Sequence, residues 1–217
     1  MVNKDFRIMK KYYKLIIFVL LLACVDDSAH GPYGSDNIPP GMVTIDDVIN
    51  TPGGAIIYFT PPTDEDLLYV KASFSDENQI DREVIVSSVI DSLNIVGFAE
   101  QGDYPVEVVA VDRGENESEA VVINISPLEA PIHAILSSMV GSQDFGGINI
   151  AYQNPTRAEV SLNMSTIDEN GNIVFRESFY TSQADSYYSF RGYDPIPTVF
   201  IIYVEDKWGN QTATRSF

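Results

Sequence analysis

The feature that most limits what this chain can fold into is an internal repeat of about 93 residues, too long for a solenoid unit and the right size for tandem domains. Gly53-Gly54-Ala55-Ile56-Ile57-Tyr58-Phe59-Thr60-Pro61-Pro62 is echoed by Gly146-Gly147-Ile148-Asn149-Ile150-Ala151-Tyr152-Gln153-Asn154-Pro155. Near the other end of each unit, Asp112-Arg113-Gly114-Glu115-Asn116 is echoed by Asp206-Lys207-Trp208-Gly209-Asn210, one residue out of that register. Two matches in nearly one register, at both ends of each unit, make 42–126 and 127–217 two copies of one fold.

Within each copy the apolar runs are short, rich in Val, Ile, Tyr and Phe, and separated by turn residues, which is the pattern of strands. Strands are expected near 43–49, 55–60, 67–74, 82–88, 92–96, 104–112 and 118–125 in the first copy. In the second they are expected near 132–140, 147–152, 159–166, 173–180, 187–191, 199–206 and 211–217. No window carries helical spacing, and Asn170-Gly171 signals a type I′ hairpin. The fold class is therefore all-β, two tandem seven-stranded sandwiches of the fibronectin III or immunoglobulin kind. An odd number of antiparallel strands makes the chain enter each sandwich at one pole and leave at the other. Residues 154–157 and 207–210, which follow the second and sixth strands of the second copy, are then expected to face the first domain.

Ahead of the repeat, Lys4, Arg7, Lys10, Lys11 and Lys14 precede an apolar run from Leu15 to Leu22. The run is far shorter than the ~20 residues a membrane-spanning helix needs, so 1–23 reads as a secretory signal peptide. Leu21-Leu22-Ala23-Cys24 resembles a bacterial lipobox, which makes Cys24, the single cysteine, the expected lipidation site and mature N-terminus. Several acyl chains on one residue hold a protein stably to a membrane. Residues 24–41, rich in Gly, Pro, Asp and Ser, form a flexible tether. Asp26 and Asp27 resemble the acidic signal that sends lipoproteins of Bacteroidetes-type bacteria to the outer face of the outer membrane. The expected location is the outer membrane, lipid-anchored and facing the exterior.

Within the repeat, Phe59-Thr60-Pro61-Pro62 resembles the second-strand signature of fibronectin type III domains, with Phe in place of the usual Trp. Tyr104-Pro105-Val106 resembles the start of the sixth strand, where a tyrosine hydroxyl returns to nearby backbone as a tyrosine corner. Thr198 stands at the corresponding place in the second copy and departs from that pattern. Together with the lipobox, FRGYD and EDKWGN, these motifs resemble a group of Bacteroidetes surface lipoproteins. In that group two fibronectin-like domains of unknown function precede a discoidin-like (coagulation factor 5/8 type C) domain, usually within polysaccharide-utilisation loci. The residues through Phe217 contain no such domain, so the chain is expected to be a short member or the N-terminal part of a split gene. The resemblance implies a non-catalytic accessory of polysaccharide utilisation, a spacer or glycan-binding component. A scaffold or adhesion module contacting another outer-membrane protein, without sugar binding, is the alternative.

Charge and composition narrow the chemistry. With 31 Asp+Glu against 13 Lys+Arg, the net charge of −18 excludes binding to a phosphate backbone. Partners are expected to be the membrane, through the N-terminal lipid, and polysaccharide or outer-membrane transport proteins. One cysteine and two histidines remove disulfide frameworks, Cys-rich zinc sites and most histidine acid–base chemistry. His133 reads as a structural histidine in a strand, and nothing singles out a carboxylate pair for glycoside hydrolysis. No cofactor, catalytic residue or metal site is expected. The acidic loops at 64–66 and 112–117 read as solvated turns over calcium ligands.

For ligand binding the candidates are Trp208, the only tryptophan, together with Tyr187 and Tyr193, since a flat aromatic face suits a pyranose. Trp208 reads first as packing at the domain junction. Alternation puts Tyr188 and Phe190 on different faces from Tyr187 and Tyr193 is part of the same cluster, so half of it is core. These motifs alone lead one to expect no glycan affinity tighter than about 1 mM.

Overall fold

The computed structural model describes residues 37–217; the expected signal peptide at 1–23, Cys24 and most of the expected tether lie outside them. The first copy contains β1 (Thr44–Thr51), β2 (Gly54–Thr60), β3 (Leu67–Ser75), β4 (Asp81–Ser87), β5 (Ser92–Val96), β6 (Tyr104–Asp112) and β7 (Val121–Ile125). They form a three-stranded sheet in the order β1-β2-β5 facing a four-stranded sheet in the order β4-β3-β6-β7, with every pairing antiparallel. The second copy contains β8 (Val140–Asp144), β9 (Gly147–Gln153), β10 (Val160–Ile167), β11 (Ile173–Thr181), β12 (Asp185–Arg191), β13 (Phe200–Asp206) and β14 (Arg215–Ser216). Its sheets, β12-β9-β8 and β11-β10-β13-β14, repeat the same topology. The chain is two tandem sandwiches of the fibronectin III type.

Each sandwich closes on its own core. Ile57, Phe59, Val70, Leu93, Phe98 and Val108 lie at the centre of the first, and Ile150, Leu162, Met164, Phe190 and Ile202 at the centre of the second. Side chains buried this fully are worth about 1.5–3 kcal/mol each. The Gly-Gly pair that opens each repeat has a steric cause. Gly53 and Gly146 hold positive φ angles of 68° and 61°, and a Cβ on Gly54 or Gly147 would run into the backbone of β5 or β12.

The tyrosine corner is present in the first domain, where the Tyr104 hydroxyl donates to the Glu100 carbonyl at 3.1 Å. In the second domain Thr198 makes only a local bond, from its hydroxyl to the Ile196 carbonyl.

One element departs from the strand pattern. Residues 132–140 are not a strand: Pro131–Ser138 form a helix, α1, and β8 starts only at Val140. Pro131 sits in its first turn, where the missing N–H costs nothing, and Ala130 precedes it in extended conformation. Ile132 and Ile135, three apart, are its buried residues. The Arg215 guanidinium donates to the carbonyls of Leu136 and Ser137 at the helix C-terminus. His133 is accordingly helical, and its Nε2 lies 3.2 Å from the Ala99 carbonyl oxygen of the first domain.

Candidate functional site

Trp208 lies at the junction of the two domains. It occupies the loop after β13, and a Cβ on Gly97, in the first domain, would meet its indole ring at 3.3 Å. Gly97 also has φ of 110°, so its conformation calls for glycine, and a larger residue there would also crowd the indole. In the same loop Asn210 Nδ2 donates to the Gly97 carbonyl at 3.0 Å, and Asn210 is only 7% exposed. With His133 against Ala99, these contacts join the leaving pole of the first sandwich to the entering pole of the second. Thr156, Arg157 and Trp208 share a cleft with Pro52, Gly53 and Phe98, as the odd strand number requires.

The other two aromatic candidates part company. Tyr193 follows Gly192 as Phe98 follows Gly97: its N–H donates to Gly146 O as that of Phe98 donates to Gly53 O. Phe98 is a core residue at 1% exposure. Tyr193 accordingly packs edge-on against Phe200, at 5.3 Å between centroids. Tyr187 projects from the outer face of β12, 69% exposed, while Tyr188 stacks on Phe179 and Phe190 is buried. The structure therefore does not bring Trp208, Tyr187 and Tyr193 together.

The 64–66 loop uses one carboxylate outside itself, Asp64 accepting from the Gly41 N–H at 3.1 Å, and the 112–117 loop is not the solvated turn expected, because Asp112 is 0% exposed. Asp112, Asp168 and Asp206 each begin a five-residue Asp-x-x-x-Asn loop. In each, the aspartate accepts from the backbone and side-chain N–H groups of the asparagine four residues on. Hydrogen bonds from Asn116 hold the Asp112 carboxyl below the usual carboxylate range despite its burial, and those from Asn172 do the same for Asp168. Asp76 is 3% exposed and paired with Arg82 at 2.8 Å. Burial pushes its carboxyl up, but the Ile80 N–H, Arg82 and the Asn78 N–H outweigh it and leave the acid strengthened. Among the described residues no group of three or more His, Cys, Asp or Glu is placed to hold a metal ion.

A feature that sequence reasoning missed lies on the outer face of the sheet β11-β10-β13-β14. The outward residues of its inner strand β10, Ser161, Asn163 and Ser165, are 7%, 4% and 7% exposed. They are short side chains sunk between taller neighbours. Tyr180 stands opposite Ser161 on β11, 78% exposed, while Glu205 and Tyr203 stand opposite Ser161 and Asn163 on β13. The result is a trough of about 640 Å³ floored by Ser161 and Asn163. The floor is pre-ordered: Asn163 Nδ2 donates to Ser161 Oγ at 2.9 Å, and the Ser178 hydroxyl donates to Asn163 Oδ1. At its junction end the trough shares Glu159, Asp206 and Lys207 with the 450 Å³ cleft lined by Trp208.

The first domain provides the contrast. By strand register, Tyr69 and Lys71 occupy the places of Ser161 and Asn163, and Ser87 that of Tyr180. There Tyr69 and Lys71 stand beside Val111 and Val109, which are 1% and 8% exposed, and Lys71 pairs with Glu117. The tall floor and low wall of the first domain become a low floor and tall wall in the second. The signal was readable only once the repeats were aligned strand by strand.

Residues 40–127 match the model of one domain of unknown function, DUF4959, and residues 128–217 that of another, DUF5126. No curated protein matches the chain. Among solved structures, a two-domain fibronectin type III segment of chicken tenascin is 14% identical over 83% of this chain and 98% of that one, with a TM-score of 0.35. The FN1–FN3 domains of chicken CNTN1 are 12% identical over 82% of this chain and 65% of that one, with a TM-score of 0.33.

Proposed function

Taking the chain as a DUF4959 domain followed by a DUF5126 domain, we propose that it is a non-catalytic surface lipoprotein, anchored to the outer membrane through Cys24. In this reading it serves a polysaccharide-utilisation system as an accessory whose two sandwiches form a fixed spacer. The observation that carries the reading is the junction. Asn210 and Trp208 of the second domain are both spent on Gly97 of the first. A spacer needs a set angle between its modules, and a buried hydrogen bond backed by an indole ring supplies one. The tether at 24–41 would lift the pair from the bilayer by at most ~3.3–3.6 Å per residue.

A second reading, docking onto another outer-membrane protein, is favoured by the far pole of the second domain. Phe145 is 92% exposed and Ile196 66% exposed there, and Gly192, the counterpart of Gly97, has open space around it.

The test is surface labelling of intact cells with an antibody to an epitope inserted at the Asn170-Gly171 hairpin. Labelling that is lost on Cys24→Ala, with the protein released from the membrane fraction, supports the reading. Membrane retention unchanged by Cys24→Ala contradicts it.

A further inference from the structure

We propose that the trough from Tyr180 to Trp208 binds an uncharged oligosaccharide chain, with Ser161 and Asn163 as its floor. The inference rests on the surface-accessory reading above and names the ligand class of that accessory. The first domain shows that this sheet position does not require a trough. Tyr69 and Lys71 close it there, so the Ser161 and Asn163 floor and the raised Tyr180 wall are a departure within one repeat family.

The chemistry selects the ligand. Tyr180 leaves 78% of its surface in water, an apolar face suited to stacking on the hydrogen-bearing face of a pyranose. Ser161, Gln183 and Glu205 line the same trough and can exchange hydrogen bonds with sugar hydroxyls. An anionic chain does not fit. Glu159, Glu205 and Asp206 line the trough, and of the two cations along it Lys207 is already paired with Glu159 at 3.0 Å while Arg157 lies at the Trp208 end, so carboxylates outnumber cations three to two. A peptide strand does not fit either, because β10 is hydrogen-bonded on both sides, to β11 and β13, and offers no backbone edge in the trough. At its junction end the trough continues into the cleft where Trp208 packs toward Gly97 with the Lys207 ammonium 4.9 Å from its ring centroid, so Tyr180 is the stacking surface of the site.

The experiment is calorimetry on the full chain in detergent micelles with four neutral hexasaccharides, cellohexaose, xylohexaose, mannohexaose and maltohexaose, and with hexagalacturonate as the acidic probe. At least one neutral chain is expected to bind more tightly than about 1 mM, with hexagalacturonate weaker. Tyr180→Ala is expected to weaken binding at least ~10-fold with an unchanged melting temperature. The double substitution Ser161→Tyr with Asn163→Lys, which copies the first domain, is expected to do the same, while Tyr69→Ala leaves binding intact. No binding by any neutral hexasaccharide, preference for hexagalacturonate or for an extended peptide, or binding unaffected by Tyr180→Ala overturns the proposal. Failure here with Cys24-dependent surface labelling intact removes the glycan site and leaves the spacer. Binding without surface labelling removes the anchored accessory and leaves the site.

Discussion

Asn210 donates its side-chain N–H to the carbonyl of Gly97 at 3.0 Å, a bond between residues on different domains. The same amide group also donates to Asp206 Oδ2 at 2.9 Å, so the junction bond is built on an Asp-x-x-x-Asn loop that is already rigid. In the first domain the corresponding loop, Asp112 to Asn116, contains no tryptophan. One loop design thus closes a hairpin in one domain and couples two domains in the other.

The tyrosine corner gives a first test. Tyr104→Phe removes the bond to Glu100 O and is expected to cost about 1 kcal/mol, lowering the melting transition of the first domain by several degrees. Thr198→Val, which loses only a local bond to Ile196 O, is expected to shift the second domain much less. Scanning calorimetry on the two variants makes the comparison.

Acid sensitivity follows from the turn aspartates. The carboxyls of Asp112 and Asp76 are lowered on folding, and Asp144, hydrogen-bonded by Ser189 and Arg191, is lowered to about 2. A carboxyl lowered on folding stabilises the native state fully above its unfolded value of about 3.9 and loses that contribution as pH falls through its folded value. Stability is therefore expected to be flat near neutrality with respect to these groups and to fall below about pH 4. Asp112→Asn, which cannot titrate, is expected to flatten the acid limb measured by circular dichroism.

The loops also rank by burial. Asp112 is 0% exposed, whereas Asp168 sits at the tip of the β10–β11 hairpin. Asp112→Ala is expected to lower thermal stability clearly more than Asp168→Ala, although both remove the same set of hydrogen bonds. Equal losses in denaturant titrations would mean that the loop, and not its burial, sets the cost.

Much of the fold is legible in the chain. The Gly-Gly openings, the alternation of Val106, Val108 and Ala110, and the odd strand number fix the sheets and place Trp208 at the junction. The helix at 131–138 escaped because eight residues hold barely two turns, and Ile132 and Leu136 suit alternation as well as a helix. Pro131 followed by apolar residues three apart was the available signal. The trough was hidden for a different reason. Ser161 and Asn163 read as unremarkable strand residues until register sets Tyr180 beside one and Tyr203 beside the other, because depth on a sheet face is a property of three strands together. Tyr193 looked like part of an aromatic platform for the same reason, and only its match to Phe98 places it in packing.

The central claim is that the two sandwiches move as one body, and residual dipolar couplings on residues 37–217 measure this directly. A single alignment tensor is expected to fit the amides of both domains, and Trp208→Ala is expected to split it into two. Two independent tensors in the unaltered protein, or a single tensor that survives Trp208→Ala together with Asn210→Ala, would contradict the fixed spacer.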